Sequence, residues 1–413
     1  MQAWFGAVTR RWSFALFAAF SCFAGHGTLN ADEWTLEVSA GAHARHNAIV
    51  RWAVPSDVKI SAPVRLLSEK GREVAVQLEA GAPQTLAWIV PRMEAGAKAR
   101  YRLQSAAPRP FPTVGMDDID GKQLQFSLGA KNVIRYNYGV MTPPAGFGPE
   151  YARSGYLHPL WSPTGRVISD DFPYNHKHHH GVWMPWTHSY FEGRKVDFWN
   201  SGKDEGIIEF VAFESRTTGP IYSGFRARQR FVHKTHPDGP KPVLQEVWDI
   251  KVYAVNEYFL IDFVSEQECA GPSPLELKKY RYGGFGFRGS LEWNGVEGVE
   301  FLTSEGKTRA DGHATQARWC EMNGEILGRP TGIGFLCHPK NFRAPQHMRI
   351  HPHEPFFCWA PCQGGDFKIA PGEKYISRYR LVLHDGPTDA ASMESLWRDY
   401  AEPPRVRHVT DAD

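Results

Sequence analysis

The segment VLQEVWDIKVYAVNEYFLIDFVSEQE, residues 243–268, carries the clearest structural pattern in this chain. Apolar and polar residues alternate on both sides of residues 254–257, and many of the apolar residues are β-branched or aromatic. This alternation is typical of two half-buried strands joined by a turn. It predicts an antiparallel pair in which one face of each strand is buried.

Similar segments surround this pair across residues 113–388 and do not alternate with helical segments. The 39 glycines and 30 prolines of the 413-residue chain suit short strands with frequent turns. We therefore predict an all-β protein whose main part, residues 113–388, is a large antiparallel β-sandwich. Residues 32–107 are predicted to form a small β-sandwich accessory domain, which the proline-rich residues 108–112 separate from the large one.

The C-terminal residues 389–413 are predicted to form one helix and a loose tail. Residues 389–400 place Met393, Leu396, Trp397 and Tyr400 on one helical face, at the spacing expected of an amphipathic helix.

The first 31 residues are predicted to be a signal peptide. Arg10 and Arg11 precede an apolar segment, residues 12–24, that is too short to span a bilayer. Cys22 offers the alternative of a lipoprotein, although the residues before it match the lipidation pattern poorly. Because no later segment is apolar enough to cross a membrane, we expect an exported protein, periplasmic or secreted. The net charge of +2 and the lack of a basic run argue against a nucleic-acid partner.

Histidine and tryptophan are concentrated in residues 170–199, DDFPYNHKHHHGVWMPWTHSYFEGRKVDFW. A histidine can donate a proton, accept a proton or bind a metal near neutral pH. His178, His179 and His180 are therefore candidates for proton transfer. Trp183 and Trp186 are candidates for stacking on a sugar ring.

A metal site is the alternative interpretation of the same segment. If the segment is a strand, alternate side chains share a face. His176, His178 and His180 would then point the same way and form part of a site for a divalent metal. A third interpretation is a structural turn in which the histidines pack on tryptophans.

Two later segments contain further candidate residues. KKYRYGGFGFR, residues 278–288, has adjacent glycines that would let another group approach a strand closely, and its Arg281 could hold a carboxylate or a polyol. The other segment, residues 337–355, is a proline-rich loop region. Its candidates for substrate binding are His338, Arg343 and His351. Glu354 is the carboxylate that we expect to act as a general acid or base.

These segments, in this order, resemble the PmoA-like family of secreted bacterial proteins over roughly residues 120–386. The resemblance is carried by GYLHPLWSPTGRVISDDFPYNHKHHHGVW, VDFW, KYRYGGFGFRG, HPKNFRAPQHMRIHPHEPFF and PGEKYISRYRLVLHDG. It implies a large β-sandwich similar to the galactose-mutarotase-like supersandwich, in exported proteins that accompany sugar-degrading systems. By position, the family's motifs fall on these residues: His176, His178, His179, His180, Gly283, Gly284, His338, Arg343, His351 and Glu354. The common family form has arginine where His180 stands.

The leading hypothesis is an exported carbohydrate-active enzyme with glycoside hydrolase, lyase or epimerase chemistry. In it, one of the three consecutive histidines exchanges protons with the substrate together with Glu354, while Arg281 or Arg343 holds polar groups. The alternatives are a non-catalytic carbohydrate-binding protein and a metal-dependent hydrolase or oxygenase. The expected partner is a carbohydrate or another small molecule. Every hypothesis that assumes a single site requires residues 170–199, 278–288 and 337–355 to lie close together in the fold.

Overall fold

The computed structural model describes residues 34–56, 60, 63–387 and 389–410. The predicted signal peptide and Cys22 lie outside these residues. Within them, no helix is long and apolar enough to cross a membrane. The N-terminal strands are β1 (Trp34–Ser39), β2 (Arg45–Ala53), β3 (Val64–Ser68), β4 (Glu73–Val74), β5 (Gln77–Glu79), β6 (Thr85–Met93) and β7 (Lys98–Ser105).

The remaining elements are again almost all strands. They are β8 (Gly115–Ile119), β9 (Gln123–Leu128), β10 (Lys131–Asn137), β11 (Tyr156–Leu160), β12 (Val182–Trp183), β13 (Ser189–Phe191), β14 (Arg194–Val196), β15 (Gly206–Thr217), β16 (Tyr222–His233), β17 (Lys241–Tyr253), β18 (Phe259–Cys269), β19 (Leu275–Leu277), β20 (Gly286–Arg288), β21 (Glu300–Thr303), β22 (Trp319–Ile326), β23 (Arg329–Cys337), β24 (Met348–Ile350), β25 (Phe356–Trp359), β26 (Phe367–Ile369), β27 (Tyr375–Asp385), the helix α1 (Ala390–Ala401) and β28 (Arg405–Val409). Short 3-10 turns lie at Pro149–Tyr151, Ser201–Lys203, Leu291–Trp293 and Pro361–Gly364.

Two eight-stranded antiparallel sheets form the large sandwich. One has the order β24-β25-β20-β12-β11-β10-β9-β8, and the other has the order β15-β16-β17-β18-β27-β23-β22-β21. A four-stranded sheet, β14-β13-β19-β26, lies beside them. The prediction of an all-β protein with a large antiparallel sandwich is confirmed.

The strand pair predicted for residues 243–268 forms the middle of the second sheet. β17 and β18 pair antiparallel, with Ile250 opposite Phe263. Trp248, Ile250 and Phe263 belong to the main hydrophobic core. Because alternate residues of a strand face opposite sides, the intervening polar residues such as Asp249 and Lys251 stay at the surface side of the sheet.

The small N-terminal sandwich consists of a five-stranded sheet, β28-β1-β7-β3-β4, and a three-stranded sheet, β2-β6-β5. Its core is continuous with the outer face of the second large sheet. Trp88 and Leu66 of the small sandwich belong to the same hydrophobic cluster as Trp319, Leu336 and Met393. The small sandwich is therefore packed firmly against the large one.

The predicted C-terminal helix is confirmed, and the predicted loose tail is wrong. The side chain of Asp389 caps α1 by accepting a hydrogen bond from the backbone nitrogen of Ser392 at 2.6 Å. The tail contains β28, which pairs with β1 and places Val409 opposite Thr35. The short alternating segment RVRHV is easily overlooked in a sequence, because its partner strand lies at the other end of the chain.

Candidate functional site

The candidate site lies on the outer face of the first large sheet, where four strands align their side chains. Trp183 of β12 is opposite Gly286 of β20, Gly286 is opposite Cys358 of β25, and Cys358 is opposite Arg349 of β24. The neighbouring residues Val182, Phe287, Phe357 and Ile350 form the next row across the same strands and face the main core. The alternation of each strand thus places Arg349 on the outer face.

Gly286 leaves room above this row. A Cβ atom at Gly286 would lie 2.9 Å from the Cη2 atom of Trp199. The indole of Trp199 therefore occupies the space that a larger residue would fill. Trp183, Trp199, Phe356 and Cys358 form a small, fully buried hydrophobic cluster under the site.

The histidine segment forms turns rather than the strand that the metal hypothesis assumed. The backbone nitrogen of His176 donates to the carbonyl of Pro173, and that of His179 donates to the carbonyl of His176. The nitrogen of Phe172 donates to the carbonyl of His179, which closes the loop. Strand parity does not apply in these turns, so the expectation that His178 and His180 share a face is wrong.

Three of the four histidines point to the same side of the loop. The rings of His176 and His179 stack at 4.6 Å, and His179 stacks on Phe356 at 4.8 Å. The ring of His178 stands edge-on to His179 at 4.8 Å. The ring of His351, from the late loop, lies 5.8 Å from that of His176. Two of the three segments that carry candidate residues therefore meet here.

A cleft of about 230 Å³ lies above these rings. The segment at residues 279–285 forms another wall, so all three predicted segments contribute to one site. The lining residues are His176, His178, His179, Trp199, Asn200, Arg281, Tyr282, Arg349, His351 and Phe356. Of the described residues, no aspartate or glutamate is in this lining.

The glycine pair shapes the third wall in a way that the sequence analysis did not predict. Residues 279–285 are not a strand, and β20 begins only at Gly286. Gly283 and Gly284 have φ angles of +135° and +110°, which side chains other than hydrogen rarely tolerate. A Cβ atom at Gly284 would also lie 3.1 Å from the carbonyl oxygen of Trp359. The pair redirects the chain so that Arg281 and Tyr282 border the cleft.

The imidazoles of the cleft are uncharged at neutral pH. Burial, followed by the neighbouring imidazoles, lowers the pKa of His178 to about 3. Burial and Arg349 lower the pKa of His351 to about 4. The pKa values of His176 and His179 are also lowered, chiefly by burial. Each ring therefore offers one donor and one acceptor nitrogen.

Tyr282 contributes a protonated phenol. Burial and the adjacent Tyr280 raise its pKa to about 12. The guanidinium of Arg281 lies 5.6 Å from the centre of the Tyr282 ring. The cleft thus combines neutral imidazoles, a neutral phenol and charged guanidinium groups.

His180 faces away from the cleft. It is fully buried, and its Nδ1 lies 2.6 Å from Oδ1 of Asp171. The second carboxylate oxygen of Asp171 accepts a hydrogen bond from the hydroxyl of Tyr156 at 2.8 Å. Burial raises the pKa of Asp171 to about 6. His180 therefore positions the loop from below, rather than contacting a ligand in the cleft.

The predicted metal set of His176, His178 and His180 is not formed, because His180 is held by Asp171 on the opposite side of the loop. In the described part of the chain, no three histidine, cysteine, aspartate or glutamate side chains are arranged to hold a metal ion. The five cysteines there, Cys269, Cys320, Cys337, Cys358 and Cys362, are free thiols.

Glu354 lies beside the cleft in an ion pair. Its Oε2 is 2.8 Å from Nη2 of the fully buried Arg288, and its Oε1 accepts a hydrogen bond from Nδ2 of Asn175 at 2.7 Å. The pKa of Glu354 is lowered, because these donors outweigh the effect of burial. The backbone nitrogen of Glu354 also donates to Nδ1 of His351 at 3.0 Å, which orients that imidazole.

Four predicted binding residues do not line the cleft. Trp183 is buried below it, with its ring 5.2 Å from His179 and 5.0 Å from Trp199. Trp186 is buried in the main core, where its indole nitrogen donates to Gln267 at 2.7 Å. Neither tryptophan presents a free face for a sugar ring.

The other two residues serve the C-terminal part of the chain. The ring of His338 packs edge-on against Tyr400 of α1 at 5.1 Å. The guanidinium of Arg343 donates to the backbone carbonyls of Pro361, Gly365 and Asp366. Both residues stabilise loops, although the proline-rich segment suggested a site.

Five cleft residues were missing from the predicted set: Trp199, Asn200, Tyr282, Arg349 and Phe356. Arg349 stands between the buried Met348 and Ile350 of β24, and that alternation was a usable signal. Phe356 begins β25, whose four residues are all apolar and buried, so the sequence gives no such signal for it. Asn200 is held by Asp197, which accepts from its backbone nitrogen at 3.0 Å and from its side chain at 2.7 Å.

The fold and the cleft define an all-β protein with two packed sandwiches and a histidine-lined site on the outside of one sheet. Residues 123–398 match the model of a family of unknown function, DUF6807, and the chain belongs to this family. None of the curated proteins matches the chain.

Solved structures from glycoside-processing proteins share the fold. A protein in the glycosyl hydrolase family 38 from Enterococcus faecalis superposes with a TM-score of 0.51 at 10% sequence identity, over 93% of this chain and 49% of that one. An alpha-mannosidase from Enterococcus faecalis V583 gives a TM-score of 0.50 at 10% identity, over 93% of this chain and 47% of that one. This chain therefore spans about half the length of each, and the likeness is one of fold.

Proposed function

We propose that this protein is an exported carbohydrate-active enzyme that moves a proton on a bound sugar with the histidines of its cleft. The observation that carries this proposal is the convergence of His176, His178, His179 and His351 on one cleft. Within the described residues, the ring of His178 makes no hydrogen bond, so its nitrogens are free for a ligand. The family 38 protein and the alpha-mannosidase support a sugar as the ligand, as does the resemblance to the PmoA-like family.

The composition of the lining favours one kind of chemistry. Most glycosidases place two carboxyl groups on either side of the bond that they cleave. Two acidic residues contact the lining: Glu354 bonds to His351 through its backbone, and Asp197 bonds to Asn200. Their carboxylates are held by Arg288 and by Lys203, respectively. A neutral imidazole suits removal of a proton from carbon, and a neutral phenol suits protonation of a leaving oxygen. We therefore favour elimination or epimerisation, with His178 as the base and Tyr282 as the acid.

The second candidate function is capture of a sugar without turnover. It is supported by the low pKa of His178, because an imidazole with a pKa of about 3 is a weak base. The two candidates predict the same ligand and differ only in whether the ligand is changed.

The test is a screen of neutral and acidic oligosaccharides with the purified protein. The products would be followed by absorbance of unsaturated sugars, by reducing ends and by NMR of the ring protons. We expect turnover by the wild type and a loss of about 100-fold or more in His178→Ala. His46→Ala, which removes an exposed histidine outside the cleft, should retain full activity. Binding without turnover would support the capture function, and turnover unaffected by His178→Ala would refute the role of the cleft.

A further inference from the structure

Two arginines of the cleft have no acidic partner. Among the described residues, no carboxylate lies within ion-pair distance of Arg281 or Arg349. The Nη1 of Arg349 contacts Nε2 of His313 at 3.2 Å, and its pKa is lowered first by burial and then by Arg281. By contrast, the nearby Arg288 is matched by Glu354 at 2.8 Å. Arg349 is half-buried and the neighbouring Arg281 is exposed. Two adjacent positive groups that repel each other favour a bound anion.

A second cavity of about 560 Å³ adjoins the first. Both cavities share Arg281, and the contact between Arg349 and His313 joins their walls. The second cavity is lined by Lys279, Tyr280, Arg281, His313, Ala314, His347 and Gln363. The side-chain amide of Gln363 donates to the carbonyls of Arg281 and Met348, which fixes the boundary between the two cavities.

The combined lining is positively charged. Lys279, Arg281 and Arg349 contribute full charges, and no described aspartate or glutamate lines either cavity. Asp366 contacts one lining residue from outside the cavity: it accepts from the backbone nitrogen of Lys279 at 2.7 Å and lies 3.6 Å from Nζ of Lys278. A neutral ligand would leave Arg281 and Arg349 without a group of opposite charge.

We propose that this double cleft binds an acidic oligosaccharide, with an anionic group of one sugar ring held between Arg281 and Arg349. The inference rests on the proposed function and names its substrate class. Guanidinium groups bind carboxylates and sulfates through paired charged hydrogen bonds. Tyr280 and Tyr282 supply the aromatic surface for sugar rings, and the neutral imidazoles match sugar hydroxyls, which both donate and accept. The volumes of the two cavities, about 230 and 560 Å³, suit an oligosaccharide of a few sugar rings better than a single small anion.

The anionic group would also make the cleft more reactive. A negative charge near an imidazole stabilises its protonated form. Arg349 helps to lower the pKa of His351, so an acidic sugar bound beside Arg349 would raise the pKa of His351 from about 4 and make that imidazole a stronger base. The guanidinium groups would also stabilise the negative charge that develops on the acid group when the proton on the carbon next to it is removed.

The test measures binding by titration calorimetry with four proteins: the wild type, Arg281→Gln, Arg349→Gln and Arg329→Gln. The last removes an exposed charge at the start of β23, outside both cavities. The probes are trisaccharides of galacturonate, mannuronate and glucuronate, the methyl ester of each, a sulfated galactan trisaccharide and neutral mannotriose. Carboxylate and sulfate ligands are thereby distinguished.

We expect one acidic trisaccharide to bind the wild type and Arg329→Gln equally. We expect each cleft variant to bind it roughly 10- to 100-fold more weakly, which is the usual effect of losing a charged hydrogen bond. Removal of the charge by methyl esterification should weaken binding to a similar degree. Equal binding of mannotriose and the acidic probes, unaffected by either variant, would overturn the acidic substrate and leave the sugar site intact. Failure of every sugar to bind the wild type would overturn both proposals.

Discussion

The Nδ1 of His180 and the Oδ1 of Asp171 lie 2.6 Å apart beneath the histidine loop, in a pair that is almost closed to solvent. The carboxylate draws this imidazole to one side of the loop, while the preceding His179 faces the other side and stacks on Phe356. Adjacent histidines therefore have different environments: His180 is buried beneath the loop, and His179 lines the cleft.

The first prediction concerns the charge of Asp171. Its folded pKa of about 6 is above its ordinary value of 3.8, so its contribution to stability is present at low pH and is lost as the pH rises from about 4 to 6. The side chain in Asp171→Asn does not ionise, so the variant does not lose stability in this way as the pH rises. We expect the variant to gain stability relative to the wild type by about 3 kcal/mol between pH 4 and pH 7. Urea unfolding at several pH values, with the exposed Asp117→Asn as control, measures the difference. An unchanged difference across this range would contradict a raised pKa.

The second prediction concerns acid stability. The folded pKa values of His158, His178 and His351 are about 4, 3 and 4, below the ordinary histidine value. These histidines bind protons more readily in the unfolded chain, so stability falls as the pH drops below about 6.5. Each contributes a slope of about 1.4 kcal/mol per pH unit while it stays neutral in the fold. Asp171 and Glu246, whose pKa values are raised to about 6 and 7 by burial, oppose this trend.

Thermal unfolding from pH 7 to pH 4 checks the second prediction. The histidines outnumber the opposing carboxylates, since the pKa values of His179 and His180 are also lowered well below the ordinary value. We expect the melting temperature to fall steadily toward pH 4, and to fall less steeply in His178→Ala. A constant melting temperature over this range would mean that the histidines are not held neutral by burial.

The third prediction separates a structural role of Glu354 from a catalytic one. Glu354→Ala would leave the fully buried guanidinium of Arg288 without its partner at 2.8 Å. We expect a loss of about 3–5 kcal/mol in the free energy of unfolding. The matched control is Glu209→Ala, because the pair of Glu209 and Arg230 is equally close, at 2.7 Å, and exposed. That variant should lose about 0–1 kcal/mol. A Glu354→Ala protein of unchanged stability but without turnover would support the catalytic role predicted from the sequence.

The fourth prediction concerns Gly284, which shapes the wall that carries Arg281. Alanine there would adopt a φ of +110° and place its Cβ 3.1 Å from the carbonyl oxygen of Trp359. We expect a loss of about 1–3 kcal/mol in stability, together with weaker ligand binding, because the wall must move. Gly295→Ala is the control, since Gly295 also has a positive φ, +92°, and no atom within 4 Å of a Cβ. Weaker binding in both variants would show that the position of the wall is not the cause.

The alternation of residues 243–268, repeated in similar segments across residues 113–388, predicted the class of fold. Each strand must bury one face, and that requirement appears in the sequence as a period of two. Burial of one face also predicted the helix at residues 389–400, because the apolar residues of a half-buried helix recur every three to four positions. The pairing of two strands that are far apart in the chain produces no pattern in the sequence of either strand. The pairing of β28 with β1 was therefore not predicted.

For the candidate site, the sequence by itself predicted which segments would come together: the histidine run, the segment with the glycine pair and the late loop with His351, all of which border the cleft. Only the tertiary structure decided which of their side chains meet. Because the histidine segment forms turns and not a strand, His180 points away from His178 and contacts Asp171. Glu354 forms an ion pair with the buried Arg288. The direction of a side chain depends on backbone angles and on partners from distant strands. Neither is encoded in the local spacing of residues, so the unpaired charge of Arg349 became visible only in the fold.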